Sequence, residues 1–131
     1  MLATRSERIR SYFKALTAGD VPAILQLFAP NADVHSPFLG IMKAPEFFAK
    51  LDAASVSSKL TVLDVLFGEG GRTAAARFQY DWVLNSGEQI IFEGVDHFTF
   101  GADDRFAAMR IYYDTHPVRE DVGDKYARSP R

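Results

Sequence analysis

Hydrophobic residues recur at helical spacing in the first part of the chain and alternate with polar residues in the rest. The first predicted helix carries apolar residues three or four positions apart: Ile9, Tyr12, Phe13 and Leu16. This spacing puts them on one face of a helix that packs against a core. Thr4 and Glu7 have the spacing of a capping box at its start, and Gly19 is a typical residue to end it.

Two shorter helices are predicted next. One begins at Asp20 and ends at Pro30 and Asn31, and the other begins at Pro45. Between them the segment ADVHSPF reads as a short extended piece that is broken at Pro37, because the residue before a proline avoids the helical region. Three helices therefore precede the part of the chain that alternates.

From about residue 57 the alternation predicts four long strands: Leu60–Phe67, Thr73–Leu84, Gln89–Phe100 and Arg105–Asp114. The turn sequences GEGG, NSGE and GADD separate them, which favours an antiparallel meander. We expect one α+β domain over residues 1–131, with a charged tail from about residue 117. In this domain the three N-terminal helices pack in a curved antiparallel sheet, and a pocket lies between the sheet and the first helix.

Composition narrows the function classes. The 131 residues are 47% hydrophobic and 24% charged, as in a soluble globular domain. The net charge of −2 gives no basic footprint, so we expect no nucleic acid partner. The absence of cysteine excludes disulfides and thiolate chemistry. The charged N-terminus does not resemble a signal peptide, and no apolar run is long enough to cross a bilayer, so we expect a cytoplasmic protein without a membrane partner.

One carboxylate interrupts an apolar strand face in the segment EGVDHFTF. Strict alternation puts Asp96 on the same face as Phe92 and Phe98. A carboxylate on such a face must be paired, protonated or functional, because an isolated buried charge is very costly. The structural alternative is an ion pair with Arg77 or Arg110 on a neighbouring strand.

Two longer strings carry a resemblance to a known family. The segments YFKALTAGDVPAILQLFAPNADVHSP and FEGVDHFTFGADDRFAAMRIYYD, together with the order of elements, resemble the NTF2-like superfamily. The likeness is closest to its ketosteroid isomerase and SnoaL-like polyketide cyclase branch. The resemblance implies a cone-shaped α+β fold and cofactor-free acid–base chemistry on a small, hydrophobic, oxygenated molecule, of the isomerase, cyclase or hydrolase type. The alternative is a non-catalytic binding or accessory domain of the same fold.

The resemblance also implies roles for three residues. Tyr12 falls where ketosteroid isomerases carry the tyrosine that hydrogen-bonds the substrate oxygen, and Asp96 falls where they carry a protonated aspartate that donates a second bond. Ketosteroid isomerase is itself a standard example of an acid kept neutral by an apolar site. Ser36 occupies the position of the family's general base, although a serine hydroxyl is a poor proton acceptor.

Two other residues are candidates for the missing base. Asp81 interrupts the strand FQYDWVL and shares a face with Arg77 and Gln79, a set that loosely resembles the water-activating residues of limonene epoxide hydrolases. His35 titrates near neutral pH and therefore suits acid–base work, but alternation turns it outward if Ser36 points inward.

We expect no metal site, because His35, His97 and His116 lack the close spacing that pre-organises metal ligands. Together with Ser36, the following residues are predicted to bind the apolar ligand: Phe28, Phe92, Phe98, Met109, Ile111 and Tyr113. A homodimer through the convex sheet face is also expected, because Phe78, Tyr80 and Trp82, or the residues that alternate with them, would otherwise form an exposed apolar patch.

Overall fold

The computed structural model describes residues 2–115, so His116 and the predicted charged tail lie outside the described residues. Within this range the chain forms three helices and six strands, and a short 3-10 turn at Glu69–Gly71. In chain order they are α1 (Leu2–Ala18), α2 (Val21–Gln26), β1 (Phe28–Ser36), β2 (Gly40–Lys43), α3 (Ala44–Ala54), β3 (Ser55–Phe67), β4 (Thr73–Leu84), β5 (Gln89–Phe100) and β6 (Phe106–Tyr113). The α+β class is confirmed.

All six strands belong to one sheet, in the order β2-β1-β6-β5-β4-β3. The strands β3 to β6 pair antiparallel, as the meander predicted, and the bounds of β4 and β5 are the predicted ones. The first strand was expected only as a short extended piece. It instead pairs parallel to β6 and antiparallel to β2, a strand that the sequence did not predict.

The three helices are therefore not consecutive, which corrects the expected order. The β1–β2 hairpin separates α2 from α3, and α2 ends at Gln26 rather than at Pro30. Pro30 and its neighbours lie where the pairing of β1 with β6 shifts register, between Phe28 and Asp33. A proline is tolerated at such an irregularity, because no ladder hydrogen bond is required of its nitrogen there.

The ends of the first two helices give one correction and one confirmation. The helix α1 begins at Leu2, so Thr4 and Glu7 lie inside it and do not form a capping box. Asp20 caps α2 as its position suggested, since its Oδ1 accepts a hydrogen bond from the Ala23 backbone nitrogen at 3.1 Å.

The core lies between α1 and the inner face of the sheet, and Tyr12 is at its centre. The Tyr12 ring is 2% exposed and makes edge-to-face contacts with five other rings at centroid distances of 5.0 to 6.0 Å. These rings belong to Phe13, Phe28, Phe48, Phe98 and Phe106. Edge-to-face pairs stabilise a core beyond the area they bury, so this cluster fixes the position of α1 on the sheet.

A polar contact holds the other end of α1. The Arg5 Nε donates to Asp104 Oδ1 at 2.7 Å, and Arg5 Nη1 donates to the Gly71 carbonyl at 2.8 Å. The guanidinium also lies 4.9 Å from the centroid of the Phe100 ring. The hydrogen bond from Arg5 is the main cause of the lowered pKa of Asp104. The Arg5 side chain thus joins α1 to the turn before β4 and to the turn after β5.

The aromatic residues of β4 considered for the dimer interface lie on the inner face of the sheet. Phe78 and Tyr80 are buried on the inner face and Trp82 lines the same side, whereas Arg77 and Gln79 are exposed on the outer face. Of the two faces that the dimer prediction left open, the outer one therefore carries the residues that alternate with these aromatics. The homodimer stays a prediction, and exposed apolar residues of the outer face such as Ile91 and Tyr112 could support it.

Gly94 gives a test of the packing of the inner face. A Cβ atom at this position would lie 2.7 Å from Cζ of Phe78 and 3.0 Å from the Tyr112 carbonyl oxygen. We predict that Gly94→Ala lowers the free energy of unfolding by about 1–3 kcal/mol, because the rigid ring and backbone cannot move aside easily. Urea denaturation followed by circular dichroism measures the change.

The double variant Gly94→Ala/Phe78→Leu is the control. Leucine removes the clashing ring carbon, so the alanine should cost less in this background than in the wild type. Equal costs in the two backgrounds would contradict the clash.

Candidate functional site

A cavity of about 350 Å³ lies between the inner face of the sheet, α1 and α3. The exposed surface of its walls is mainly apolar, although eight of the lining residues have polar side chains. Apolar lining comes chiefly from Leu16, Phe38, Leu39, Phe47, Leu51, Leu60, Phe78, Trp82, Ile90, Phe92 and Ile111. The polar lining comes from Tyr12, Ser36, Lys50, Tyr80, Asp96, Tyr113, Asp114 and Thr115. An apolar cavity with a few convergent polar groups is the usual form of a small-molecule site.

Asp96 lies on the wall of this cavity and is 3% exposed. Within residues 2–115 its Oδ1 has no hydrogen-bond partner. Burial raises the pKa of this carboxyl well above its ordinary value, because the charged form would lose its hydration and gain no compensating bond. The raised pKa favours the neutral, protonated form of this side chain, which lines the cavity.

The ion pair considered for Asp96 is not formed. Arg77 donates to Glu93 Oε1 at 2.7 Å on the outer face. Arg110 is exposed between the inward-facing Met109 and Ile111, so it also points away from Asp96. The alternation of β5 is as predicted, but neither arginine serves as a counter-charge for its one buried carboxyl group.

Tyr12 reaches the same cavity from α1. Its pKa is raised well above the ordinary value by burial, and further by the proximity of Asp96 and then of Tyr80. All three acidic side chains line the same cavity. Tyr12 is a hydrogen-bond donor when protonated, and so is Asp96 in its neutral form.

Ser36, the residue at the family's base position, also lines the cavity at the end of β1. Its Oγ accepts a long hydrogen bond of 3.4 Å from the Leu39 backbone nitrogen in the β1–β2 turn. The hydroxyl thus lies at the cavity wall and accepts a hydrogen bond from the backbone of the turn.

The structure does not bring the other two candidate bases into the cavity. Asp81 lies on the outer face of β4, where Gln89 Nε2 donates to its Oδ1 at 2.8 Å. His35 pairs with Arg110 of β6 and Ile41 of β2, on the face opposite to the inward-pointing Val34. The proline and turn that follow β1 do not change the alternation before Ser36.

The predicted wall of the ligand site is divided between cavity and core. Ser36, Phe92, Ile111 and Tyr113 line the cavity. Phe28, Phe98 and Met109 do not, because they are packed into the core with 3%, 0% and 0% exposure. These three lie nearer the Tyr12 ring cluster, where side chains from α1 and β6 close over them.

Tyr80 and Trp82 also line the cavity, although the sequence pattern did not identify them as cavity residues. The Tyr80 hydroxyl lies 2.8 Å from Ser58 Oγ, and Trp82 Nε1 donates to Ser55 Oγ at 2.8 Å. The pKa of Tyr80 is raised to about 12, chiefly by burial. The hydrogen bond with Ser58 acts in the opposite direction, and the proximity of Asp96 adds to the increase. Alternation had placed both residues on one face, but nothing in the pattern indicated that this face was the inner one.

Two further findings concern the described residues alone. Within residues 2–115, no group of three or more histidine, aspartate or glutamate side chains is arranged to hold a metal ion. No helix in the same range is both long and apolar enough to cross a membrane.

Comparison with known proteins places the chain in a family. A profile of the SnoaL-like domain matches residues 9–109, which is most of the chain. The chain belongs to the SnoaL-like domain family. It is also 28% identical over 119 residues to the steroid Δ-isomerase of Nocardioides simplex, a match that covers 86% of this chain and 92% of that protein. The resemblance drawn from the two sequence strings is thereby confirmed.

Solved structures share the fold of this SnoaL-like chain. An NTF2-like protein of unknown function from Burkholderia pseudomallei superposes with a TM-score of 0.75 at 15% identity, over 87% of this chain and 93% of that one. The epoxide hydrolase/cyclase-like enzyme SalBIII, described for its role in pyran ring formation in the polyether salinomycin, gives 0.78 at 20% identity, over 88% and 96%. At these identities the likeness establishes the NTF2-like fold alone.

The buried acid predicts a pH-dependent stability difference. Because the folded-state pKa of Asp96 is raised above 3.8, the native protein holds this proton more tightly than the unfolded chain. Stability from this group is therefore complete at low pH and is lost as pH rises above about 3.8. Asp96→Asn, which cannot ionise, should gain stability relative to the wild type as pH increases, in urea unfolding series at pH 5 and pH 8.

The control is Asp81→Asn, which changes a carboxylate of the neighbouring strand on the outer face. A difference from the wild type that changes with pH as much for Asp81→Asn as for Asp96→Asn would show that burial of Asp96 is not the cause.

Proposed function

We propose that this SnoaL-like protein binds a small, apolar, oxygen-bearing molecule in its cavity and acts on it by cofactor-free acid–base chemistry of the isomerase, cyclase or hydrolase type. The observation that carries the proposal is the buried Asp96 carboxyl, which faces an apolar cavity with Oδ1 unbonded in the described chain. A polar group left unbonded at such a position costs stability, so its presence calls for a function.

The chemistry follows from two donors that share a cavity. A carbonyl or enolate oxygen placed between Asp96 and Tyr12 receives two hydrogen bonds from neutral acids. Such bonds strengthen as negative charge develops on the oxygen, which lowers the barrier to forming an enolate or a similar oxyanion. The apolar walls exclude water, and this makes each bond stronger than it would be in solution.

Ser36 supports the second candidate, which is binding without catalysis. A reaction through an enolate needs a group that accepts a proton, and a neutral serine hydroxyl does this poorly. The other two candidate bases, Asp81 and His35, face away from the cavity. The donors alone suffice for a binding protein, so the two candidates differ only in whether a base is present.

The predicted homodimer is a separate proposal about partners. Ile91 and Tyr112 are 59% and 55% exposed on the outer sheet face, and a second copy would cover them. Sedimentation at micromolar concentration distinguishes a dimer from a monomer.

Substitution of either donor tests the oxygen-binding half of the site. We predict that Tyr12→Phe and Asp96→Leu each weaken the binding of 2-naphthol by about fivefold, since a net hydrogen bond contributes about 1 kcal/mol. Their effects should not add in the double variant, because both act on one oxygen. Fluorescence titration of 2-naphthol measures the dissociation constants.

Tyr112→Phe is the matched control, since Tyr112 is an exposed tyrosine outside the cavity. It should bind 2-naphthol as the wild type does. Wild-type affinity in both donor variants would mean that Asp96 and Tyr12 do not converge on the ligand oxygen.

Restoration of a base separates the two candidates. We predict that Ser36→Asp introduces a measurable Δ5-ketosteroid isomerisation, because it adds a carboxylate opposite donors already in place. The wild type should show little of this activity, and Ser36→Asn, which has similar volume and no charge, should match the wild type. The assay follows the conjugated product by ultraviolet absorbance.

An inactive Ser36→Asp that still binds 2-naphthol through Asp96 would favour the binding protein over the enzyme. A wild type as active as Ser36→Asp would show that some other group already serves as the base.

A further inference from the structure

A second polar position lies in the same cavity, away from Asp96. Tyr80 is on the inner face of β4, 6% exposed, and its ring stacks on Phe92 at a centroid distance of 5.2 Å. The Trp82 ring lies 5.6 Å from the Tyr80 ring, so Tyr80 has two aromatic neighbours in contact with it. The Tyr80 hydroxyl meets Ser58 Oγ of β3 at 2.8 Å, which fixes the direction of the phenol.

We propose that Tyr80, oriented by Ser58, is a second polar anchor of the cavity, so that the ligand carries two oxygen atoms, one at Asp96 and Tyr12 and the other at Tyr80. This inference rests on the proposed function, because it assigns a further group to the same site. It narrows the ligand class from a molecule with one oxygen to a flat or elongated apolar molecule with an oxygen at each end.

The sheet register separates the two anchors. Asp96 pairs with Ala76 of β4, and Tyr80 pairs with Phe92 of β5. Tyr80 is thus four residues further along β4 than the residue opposite Asp96, which is about 13 Å between Cα positions along a strand. The two side chains nevertheless line one cavity, and Asp96 is near enough to raise the pKa of Tyr80. The residues between the anchors on this face are apolar, with Phe78 opposite Gly94. A ligand that reaches both anchors therefore places an apolar body against this stretch.

The hydrogen bond between Tyr80 and Ser58 allows the Tyr80 hydroxyl either to donate to a ligand carbonyl oxygen or to accept from a ligand hydroxyl. Either hydroxyl can be the donor. If Ser58 donates, the Tyr80 proton is free for a carbonyl oxygen of the ligand. If Tyr80 donates, its oxygen accepts from a ligand hydroxyl. Ser58 also lines a second cavity of about 160 Å³ between the helices and the start of β3.

Paired probes test the second anchor. We expect 2,6-dihydroxynaphthalene to bind the wild-type protein three- to tenfold more tightly than 2-naphthol, because the second hydroxyl gains one hydrogen bond. In Tyr80→Phe the ratio of the two dissociation constants should approach one. Ser58→Ala keeps the Tyr80 hydroxyl but not its orientation, so its ratio should lie between those of the wild type and Tyr80→Phe. Fluorescence titration of each probe gives these ratios.

Tyr112→Phe, on the outer face, is the matched tyrosine control and should keep the wild-type ratio. A ratio near one in the wild type, with 2-naphthol still bound through Asp96, would overturn the second anchor and leave the proposed function standing. If the wild-type ratio of dissociation constants is kept in both Tyr80→Phe and Ser58→Ala, Tyr80 does not bind the second hydroxyl and the proposal is overturned. Loss of the ratio in Tyr113→Phe would assign that role to Tyr113 and would also overturn the proposal. Failure of both probes to bind would overturn the proposed function, and the anchor with it.

Discussion

Burial of the Asp96 carboxyl group favours its protonated form. A charge at this position would face aromatic rings and an apolar cavity without a counter-ion, and neither Arg77 nor Arg110 turns inward to supply one. The neutral acid is less costly, but its Oδ1 has no hydrogen-bond partner among the described protein groups. The inner face of β5 thus carries a polar group that the described part of the chain does not fully satisfy.

Tyr12 connects this incomplete site to the most rigid part of the molecule. Its ring is packed by five phenylalanines, and both Tyr12 and Asp96 line the cavity. The edge-to-face contacts determine where the hydroxyl lies, so the donor is pre-organised by the same interactions that stabilise the core. On β5, the absence of a side chain at Gly94 leaves room for the Phe78 ring of β4, so the cavity wall also depends on close packing.

The sequence predicted those parts of the fold that depend on local pattern. Alternation located β4 and β5 to the residue, because each side chain on a half-buried strand is either in or out. Alternation could not show which face of β4 is the inner one, because the residues of both faces recur with the same period of two. Asp81 was therefore a plausible cavity residue and Tyr80 a plausible surface residue, and the packing of α1 against the sheet decided otherwise.

The parallel strand β1 escaped prediction for a different reason. Its pairing with β6 joins residues more than seventy positions apart, and Pro30 inside it reads locally as a break. For the site, the alternation pattern singled out Asp96, whereas Tyr12 and Ser36, and the roles of all three residues, came from the resemblance. The sequence could not separate core from cavity for Phe98 and Met109, because the same apolar residue types occur in both places.

The contact of Arg5 with Asp104 has a consequence for how the molecule forms. It joins residues ninety-nine positions apart, so its partner leaves the ribosome long after the first helix has been made. Until the hairpin of β5 and β6 is complete, that helix lacks both this attachment and the Phe98 and Phe106 rings on which Tyr12 rests. Such distant contacts slow folding, because the chain must close a long loop before it gains from them. The surroundings of Tyr12 and the cavity wall are consequently complete only once β6 has joined the sheet.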